Sequence, residues 1–504
     1  MTLIRLQRLF TDELSKRSIL SRPPEPPPDA LMNDPLKSVF IGITGVFNVP
    51  FYWSSLNITN PHMAIVGITG AGKSYFVKSF LIRASYVWNT NAVIIDWAGE
   101  YKAWVKQTGG TVVSLGKGDF INIMDVAGMR PLDRVKQIMN SFSILTDIDM
   151  FPEQKRLTEE AIEQAYLNNG FALADIAPEG KDAPTIKDVI LLLQEKLQEG
   201  TYQYPAELEN AIYRLRQFAR PGEDYFSRKS TINIGKLALS GLVDIDLSGM
   251  SDERFRALAA LFILQTLKEL MRSMGWSEVK GLKTLVVLDE AWKVAGDERS
   301  DAITIVREGR KYQFGLIVAS QSPLDVNEAI FSNVGTVFIL AIKFERFLNY
   351  LQGSLNFSSY IRSEILKFGV GQAAVVMSFQ TSLKFPGTFI IKRIYGEEPL
   401  KVYRIDITSI LTQSEIESNI IPRTFEFEKD SINSFLVEIG LANEVIDKIF
   451  SDADTKNRVI DIMSLVSELA SNQIPSISIV NLLKNIGIDD SIIARILSRV
   501  KTNE

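Results

Sequence analysis

The stretch "MAIVGITGAGKS", residues 63 to 74, decides the fold. An apolar run ends at Gly67, a glycine-rich segment follows, and Ser74 opens "SYFVKSFLIRA", whose apolar residues have helical spacing. Within it "GITGAGKS", Gly67 to Ser74, fits G-x-x-x-x-G-K-[ST], with a strand before it and a helix after it. The expected nucleotide-binding set is Gly67, Thr69, Gly70, Ala71, Gly72, Lys73, Ser74 and Tyr75. Glycines let backbone N–H groups wrap phosphates, Lys73 adds a point charge on the β/γ oxygens, and the Ser74 hydroxyl ligates magnesium. The helix N-terminus adds its own attraction for anions. A loop of this kind binds ATP or GTP with Mg2+.

Working outward, apolar β-rich runs recur at 63–67, 92–96, 242–246, 284–289, 314–320 and 336–342. They are bounded by Gly, Asp or Ser and separated by helical patterns, which predicts a parallel sheet covered on both faces. "LVVLDEAW", 285–292, ends a buried strand in two adjacent carboxylates. Asp289 is placed to hold the metal beside Ser74, and Glu290 to polarise an attacking water. A protein that only binds nucleotide has little use for the second acid, although a strand-end pair can also serve as a helix cap. "VASQ", 318–321, ends the next strand at Gln321, a candidate sensor of the γ-phosphate because strand ends converge on the ligand in such sheets. "DWAGEY", 96–101, puts Asp96 at another strand end with Glu100 four residues on. These two could order metal or water, restrain a neighbour's basic residue, or simply cap a turn and face solvent.

Composition sets limits. The 504 residues carry a net charge of −5, no cysteine and one histidine, His62. Disulfides, thiolate metal sites and multi-histidine sites are therefore excluded, and nucleic-acid contact must come from local patches. Residues 38–72 carry no formal charge, but Asn48, Pro50, Asn57, Asn60 and Pro61 break the run into short strands and turns. With no apolar signal segment at the N-terminus, a cytoplasmic protein is expected, held at the inner face of a membrane only through a partner.

Residues 1–30 read as an amphipathic arm followed by a Pro-rich linker, with five prolines from Pro23 to Pro28. The nucleotide-binding core is expected at 31–130 and 236–400, interrupted by an all-helical insertion at 131–235. Residues 401–504 read as a C-terminal helical domain. The helix–turn–helix outline of 471–500 could suit DNA, but 431–504 hold 7 Lys+Arg against 10 Asp+Glu, which favours docking to protein.

Six motifs, "HMAIVGITGAGKS", "VIIDWAGEY", "GDFINIMD", "VDIDLSGM", "VVLDEAWKV" and "REGRKYQFGLIVASQSP", occur in one order over roughly residues 38–390. That order resembles the HerA–FtsK superfamily of ring-forming DNA-pumping ATPases, above all HerA and the conjugation-type (type IV secretion) ATPases. The resemblance implies a RecA-like α/β core, ATP and Mg2+ at subunit interfaces, a homo-oligomeric ring, hexameric in the family, and single- or double-stranded DNA through its pore. It also implies a membrane channel protein as partner in the secretion branch. About sixty residues precede the P-loop, fewer than the β-barrel or N-terminal domain usual there, so a shortened member such as an archaeal DNA-exchange (Ced-type) or plasmid-borne ATPase is expected. An ATPase energising pilus or protein-secretion assembly without DNA contact is the alternative.

"VREGRKYQFG", 306–315, is placed by the same scheme. It closes a helix expected over 298–311 that feeds the strand 314–320, so its cations lie at the edge opposite the nucleotide. Arg310, with Arg307 competing, is the candidate arginine finger acting on a neighbouring subunit; Lys311 lacks the planar fork. A solvated C-terminal helix face is the other reading.

Overall fold

The computed structural model describes residues 26–394, except 27, 35–36, 57, 89, 127, 177–180, 221, 224, 277–281, 291 and 379–387, and short pieces between 424 and 499. The arm at 1–20, the prolines before Pro26 and most of 401–504 lie outside the described residues.

One eleven-stranded sheet organises the molecule. Its strands are β1 (Val39–Thr44), β2 (Pro50–Trp53), β3 (Met63–Val66), β4 (Asn91–Asp96), β5 (Thr111–Ser114), β6 (Leu242–Asp246), β7 (Thr284–Asp289), β8 (Phe314–Ser320), β9 (Thr336–Ile339), β10 (Ala373–Met377) and β11 (Thr388–Ile394). They lie in the order β2-β1-β11-β10-β9-β3-β8-β7-β4-β6-β5. From β9 to β5 every neighbouring pair is parallel; β10, β11, β1 and β2 extend the sheet with antiparallel pairings. The fold is thus α/β with a mostly parallel sheet, and all six apolar runs are strands in it. Strands buried on both faces need apolar residues at every position, which is why β7 and β8 are buried from end to end.

The sheet separates two cores. One face packs on helix α1 (Lys73–Trp88) through Phe76, Val77 and Phe80. The other packs on α6 (Glu253–Ser273). Between β5 and β6 lie the long helices α2 (Pro131–Leu145), α3 (Pro152–Asn168), α4 (Ile186–Gln198) and α5 (Pro205–Arg216), whose buried faces join that second core. Proline in the first turn starts three of them, where its missing N–H costs nothing.

Two local expectations change. The helix expected over 298–311 is shorter: α7 spans Asp301–Glu308, capped by Ser300, and Gly309–Tyr312 form a 3-10 turn. The cause is close packing, since a Cβ on Gly309 would lie 3.0 Å from both His62 Cε1 and the Phe314 carbonyl oxygen. In the C-terminal region, expected to be helical, Thr424–Glu426 pairs antiparallel with Val459–Asp461. Helices Ser476–Asn485 and Asp490–Arg499 follow. Among the described residues no helix is long and apolar enough to cross a membrane.

Candidate active site

The P-loop leaves β3, the sixth of the eleven strands across the sheet, and its backbone is tied on both sides. The Gly67 N–H donates to the Ser320 carbonyl and the Ile68 N–H to Ala341, at 3.3 and 3.0 Å. A side chain at Gly67 would put Cβ 2.9 Å from Leu340 Cβ, so the loop can pass the strand only as glycine. Gly72, at φ +99°, makes the left-handed turn into α1 at no steric cost.

Lys73 folds back inside the loop and donates to the Gly67 and Ile68 carbonyls at 2.9 and 3.2 Å. Burial lowers its pKa, while Asp289, Glu100 and Glu290 pull it back up. Ser74 Oγ donates to Glu100 Oε2 at 2.7 Å, and Lys78, one turn along α1, donates to the Glu100 carbonyl at 2.7 Å. Tyr75 follows half-buried in the first turn, and Thr69 and Gly70 are exposed at the lip of the loop.

Two acids at neighbouring strand ends have different surroundings. Asp96 accepts the N–H groups of Ala98, Gly99 and Tyr101 at 3.2, 2.8 and 2.8 Å, so its carboxylate holds the loop 97–101. Asp289 is 8% exposed and accepts from the Glu290 N–H at 3.1 Å. Burial pushes its carboxyl up to about 6, against the pull of the Tyr101 hydroxyl; Glu100 and Asp96 push it further. Glu290 sits at φ +52°, a left-handed conformation that a glutamate rarely adopts. Such strain clusters at functional positions.

Gln321 bridges the loop and the second acid. Its Oε1 accepts from Thr69 Oγ1 at 2.8 Å, and its Nε2 donates to Glu290 Oε1 at 3.0 Å. The structure thus brings Thr69, Lys73, Ser74, Glu100, Asp289, Glu290 and Gln321 to one edge of the sheet.

Residues 41–267 match the model of the helicase HerA central domain. The chain carries a HerA-type domain. DNA double-strand break repair helicase HerA of Pyrococcus furiosus is 27% identical over 402 residues, 68% of this chain and 67% of that protein. The DNA import protein CedB of Sulfolobus acidocaldarius is 22% identical over 343 residues, 64% of this chain and 51% of CedB. VirB4 of Thermoanaerobacter pseudethanolicus has a similar fold, with a TM-score of 0.60 at 21% identity over 72% of this chain and 98% of that one. The six ordered motifs and these matches point to the same HerA and type IV ATPase superfamily.

In this HerA-type site the donors suit a small hard cation. Ser74 supplies a hydroxyl and Asp289 a carboxylate. The buried Tyr101 hydroxyl interacts with both yet closes no hydrogen bond of ordinary geometry. Among the described residues no group of three or more acids or histidines could hold a metal by itself. Magnesium needs none, because one or two carboxylates and substrate phosphates are its usual set.

The arginines lie elsewhere. Arg310 precedes β8 and Gln321 follows it, and seven residues at about 3.3 Å each put roughly 23 Å between them. Arg307 and Arg310 are exposed, and Arg310 Nη1 donates to the Thr59 carbonyl. Sequence reasoning missed Lys78 and Tyr101. The signals available were a lysine one turn after Ser74 and the aromatic that ends "DWAGEY".

Proposed function

We propose that the chain is a Mg2+-dependent ATPase that assembles into a homo-oligomeric ring, a hexamer, and moves DNA, through a membrane channel or into a DNA-processing complex. The observation that carries this is the meeting of Lys73, Ser74, Asp289 and Glu290 at the P-loop edge, with Glu290 in a strained backbone conformation. The names of the relatives, a break-repair helicase and a DNA import protein, support DNA as the transported polymer.

Bound magnesium would neutralise charge on the β- and γ-phosphates, held by Ser74 and, directly or through water, by Asp289. Lys73 exchanges its two carbonyl partners for phosphate oxygens, a stronger charge-assisted pairing. Ser74 must give up Glu100, which is free to accept from water at the same place. Glu290 accepts a proton from the attacking water and fixes its line of approach to the γ-phosphate. Gln321 lies beside the loop to touch that phosphate. Asp96 acts at one remove, by shaping the loop that carries Glu100 and Tyr101. Arg310, with Arg307 competing, supplies charge to the transition state of a neighbouring copy, because its own phosphates are out of reach.

The test is phosphate release with and without double-stranded DNA at low salt. Stimulation by DNA is expected. Hydrolysis indifferent to DNA would overturn the translocase reading and favour a motor for pilus or secretion assembly.

A further inference from the structure

The hydrogen bonds at Gln321 carry more than a sensor role. Strand β8 lies between β3 and β7, and its register sets Ser320 beside Val66 and Ala319 beside Asp289. The next residue, Gln321, therefore emerges between the P-loop and Glu290. A carboxamide there can bond both only if its orientation is fixed, because its two ends differ. The Thr69 hydroxyl fixes it: donating at 2.8 Å to Oε1, it turns Nε2 toward Glu290 Oε1 at 3.0 Å. With the amide flipped, Oε1 would face a carboxylate and repel it.

We propose that Thr69 is a positioning residue that, through Gln321, sets where Glu290 points according to whether a γ-phosphate occupies the loop. Thr69 stands at the exposed lip of the loop. With that site empty, Gln321 Nε2 engages Glu290 and holds its carboxylate off the line of attack. A γ-phosphate offers Nε2 a competing anionic acceptor, and the transfer of that hydrogen bond frees Glu290 for water. Thr69 keeps the donor end of the amide facing the right way in both states. When the phosphate leaves, Glu290 is latched again.

This rests on the ATPase reading above, and the experiment separates the two. Purified full-length chain is assayed for kcat, KM and binding of a fluorescent ADP, for wild type, Thr69→Val, Thr69→Ser, Gln321→Ala and the double variant Thr69→Val/Gln321→Ala. Loss of one neutral hydrogen bond predicts a kcat lower by about three- to tenfold for Thr69→Val. ADP affinity should change by less than about twofold, because Thr69 belongs to the phosphate loop through its backbone N–H, which valine keeps, and Thr69→Ser should recover most of the loss in kcat. The double variant should be no slower than Gln321→Ala alone, because Thr69 acts only through that side chain. Multiplying losses, or a Thr69→Val defect in ADP binding with kcat intact, would overturn the latch. Active wild type with normal Thr69→Val fails the latch alone; wild type without hydrolysis fails both.

Discussion

The two edges of the sheet are built from the same strands and differ in kind. At the carboxyl edge, polar groups bond chiefly to one another across strands: Ser74 to Glu100, Thr69 to Gln321, Gln321 to Glu290. At the amino edge the buried imidazole of His62 is tied to backbone. His62 Nδ1 accepts the Leu316 N–H at 2.9 Å, and burial lowers its pKa to about 3, so it stays neutral. The cations there point outward, and the nearest phosphate site in the same chain is the length of β8 away. In the proposed mechanism the carboxyl edge carries the groups that act on ATP, and the amino edge carries the candidate finger, with no phosphate of its own chain in reach. The proposal pairs these two surfaces between copies rather than within one.

That comparison breaks most sharply on mixing. Glu290→Gln and Arg310→Ala should each reduce phosphate release by about 10³-fold, since a general base and an arginine finger each contribute on that scale. Mixed rings should regain part of the activity, because some interfaces then join an intact Glu290 to an intact Arg310. Verified mixed assemblies that stay inactive would remove Arg310 from the role and leave Arg307→Ala to be tried the same way.

A finer contrast lies within the carboxyl edge. Asp96 and Asp289 end strands that neighbour each other, yet three backbone N–H groups occupy Asp96 and only one reaches Asp289. Asp96→Ala should cost about 2–4 kcal/mol of stability by stranding those donors. Asp289→Asn should leave the melting temperature near wild type and remove the Mg2+ dependence of ATP binding. A stable Asp96→Ala variant, or an unfolded Asp289→Asn, would reverse the assignment of scaffold and ligand.

How far this was legible follows the physics of each element. Six of the seven strands in the parallel run announce themselves because burial on both faces demands an unbroken apolar run. β5, at the sheet margin, buries only Val113 fully and leaves Thr111 exposed, and "TVVS" carries no comparable signal. The P-loop and Asp289–Glu290 are readable because their chemistry is local. The latch is not, because it depends on the order β3-β8-β7, which is fixed by pairing across the chain. Arg310 lies in a 3-10 turn before β8 and not in the expected helix, a difference the sequence does not announce because the close approach of Gly309 to His62 and Phe314 is tertiary. "VDIDLSGM" carries no sign in sequence that its two aspartates differ.

That difference yields the smallest effect and the cleanest sign. Asp246 accepts from Lys102 at 3.2 Å and from the Ser248 N–H at 2.8 Å. Asp244, two residues earlier on the same face of β6, is buried with neither oxygen partnered. Burial, then the charges of Asp96 and Asp246, push its carboxyl up to about 8, with Lys102 and Lys78 only partly offsetting this. The raised value means that, between about pH 4 and 8, the folded chain binds more protons here than the unfolded chain does. Stability from this group is therefore greatest below pH 4 and falls as pH rises through 8. Asp244→Asn keeps the shape and removes the ionisation. Its melting temperature should match wild type near pH 4 and exceed it at pH 8 by a few degrees, about 2–4 °C for each kcal/mol relieved. Melting curves from pH 4 to 8 on both proteins decide it, because other titrating groups cancel in the difference. A gap that does not widen with pH would mean that Asp244 is ionised throughout, with Lys78 and Lys102 holding its charge in the fold.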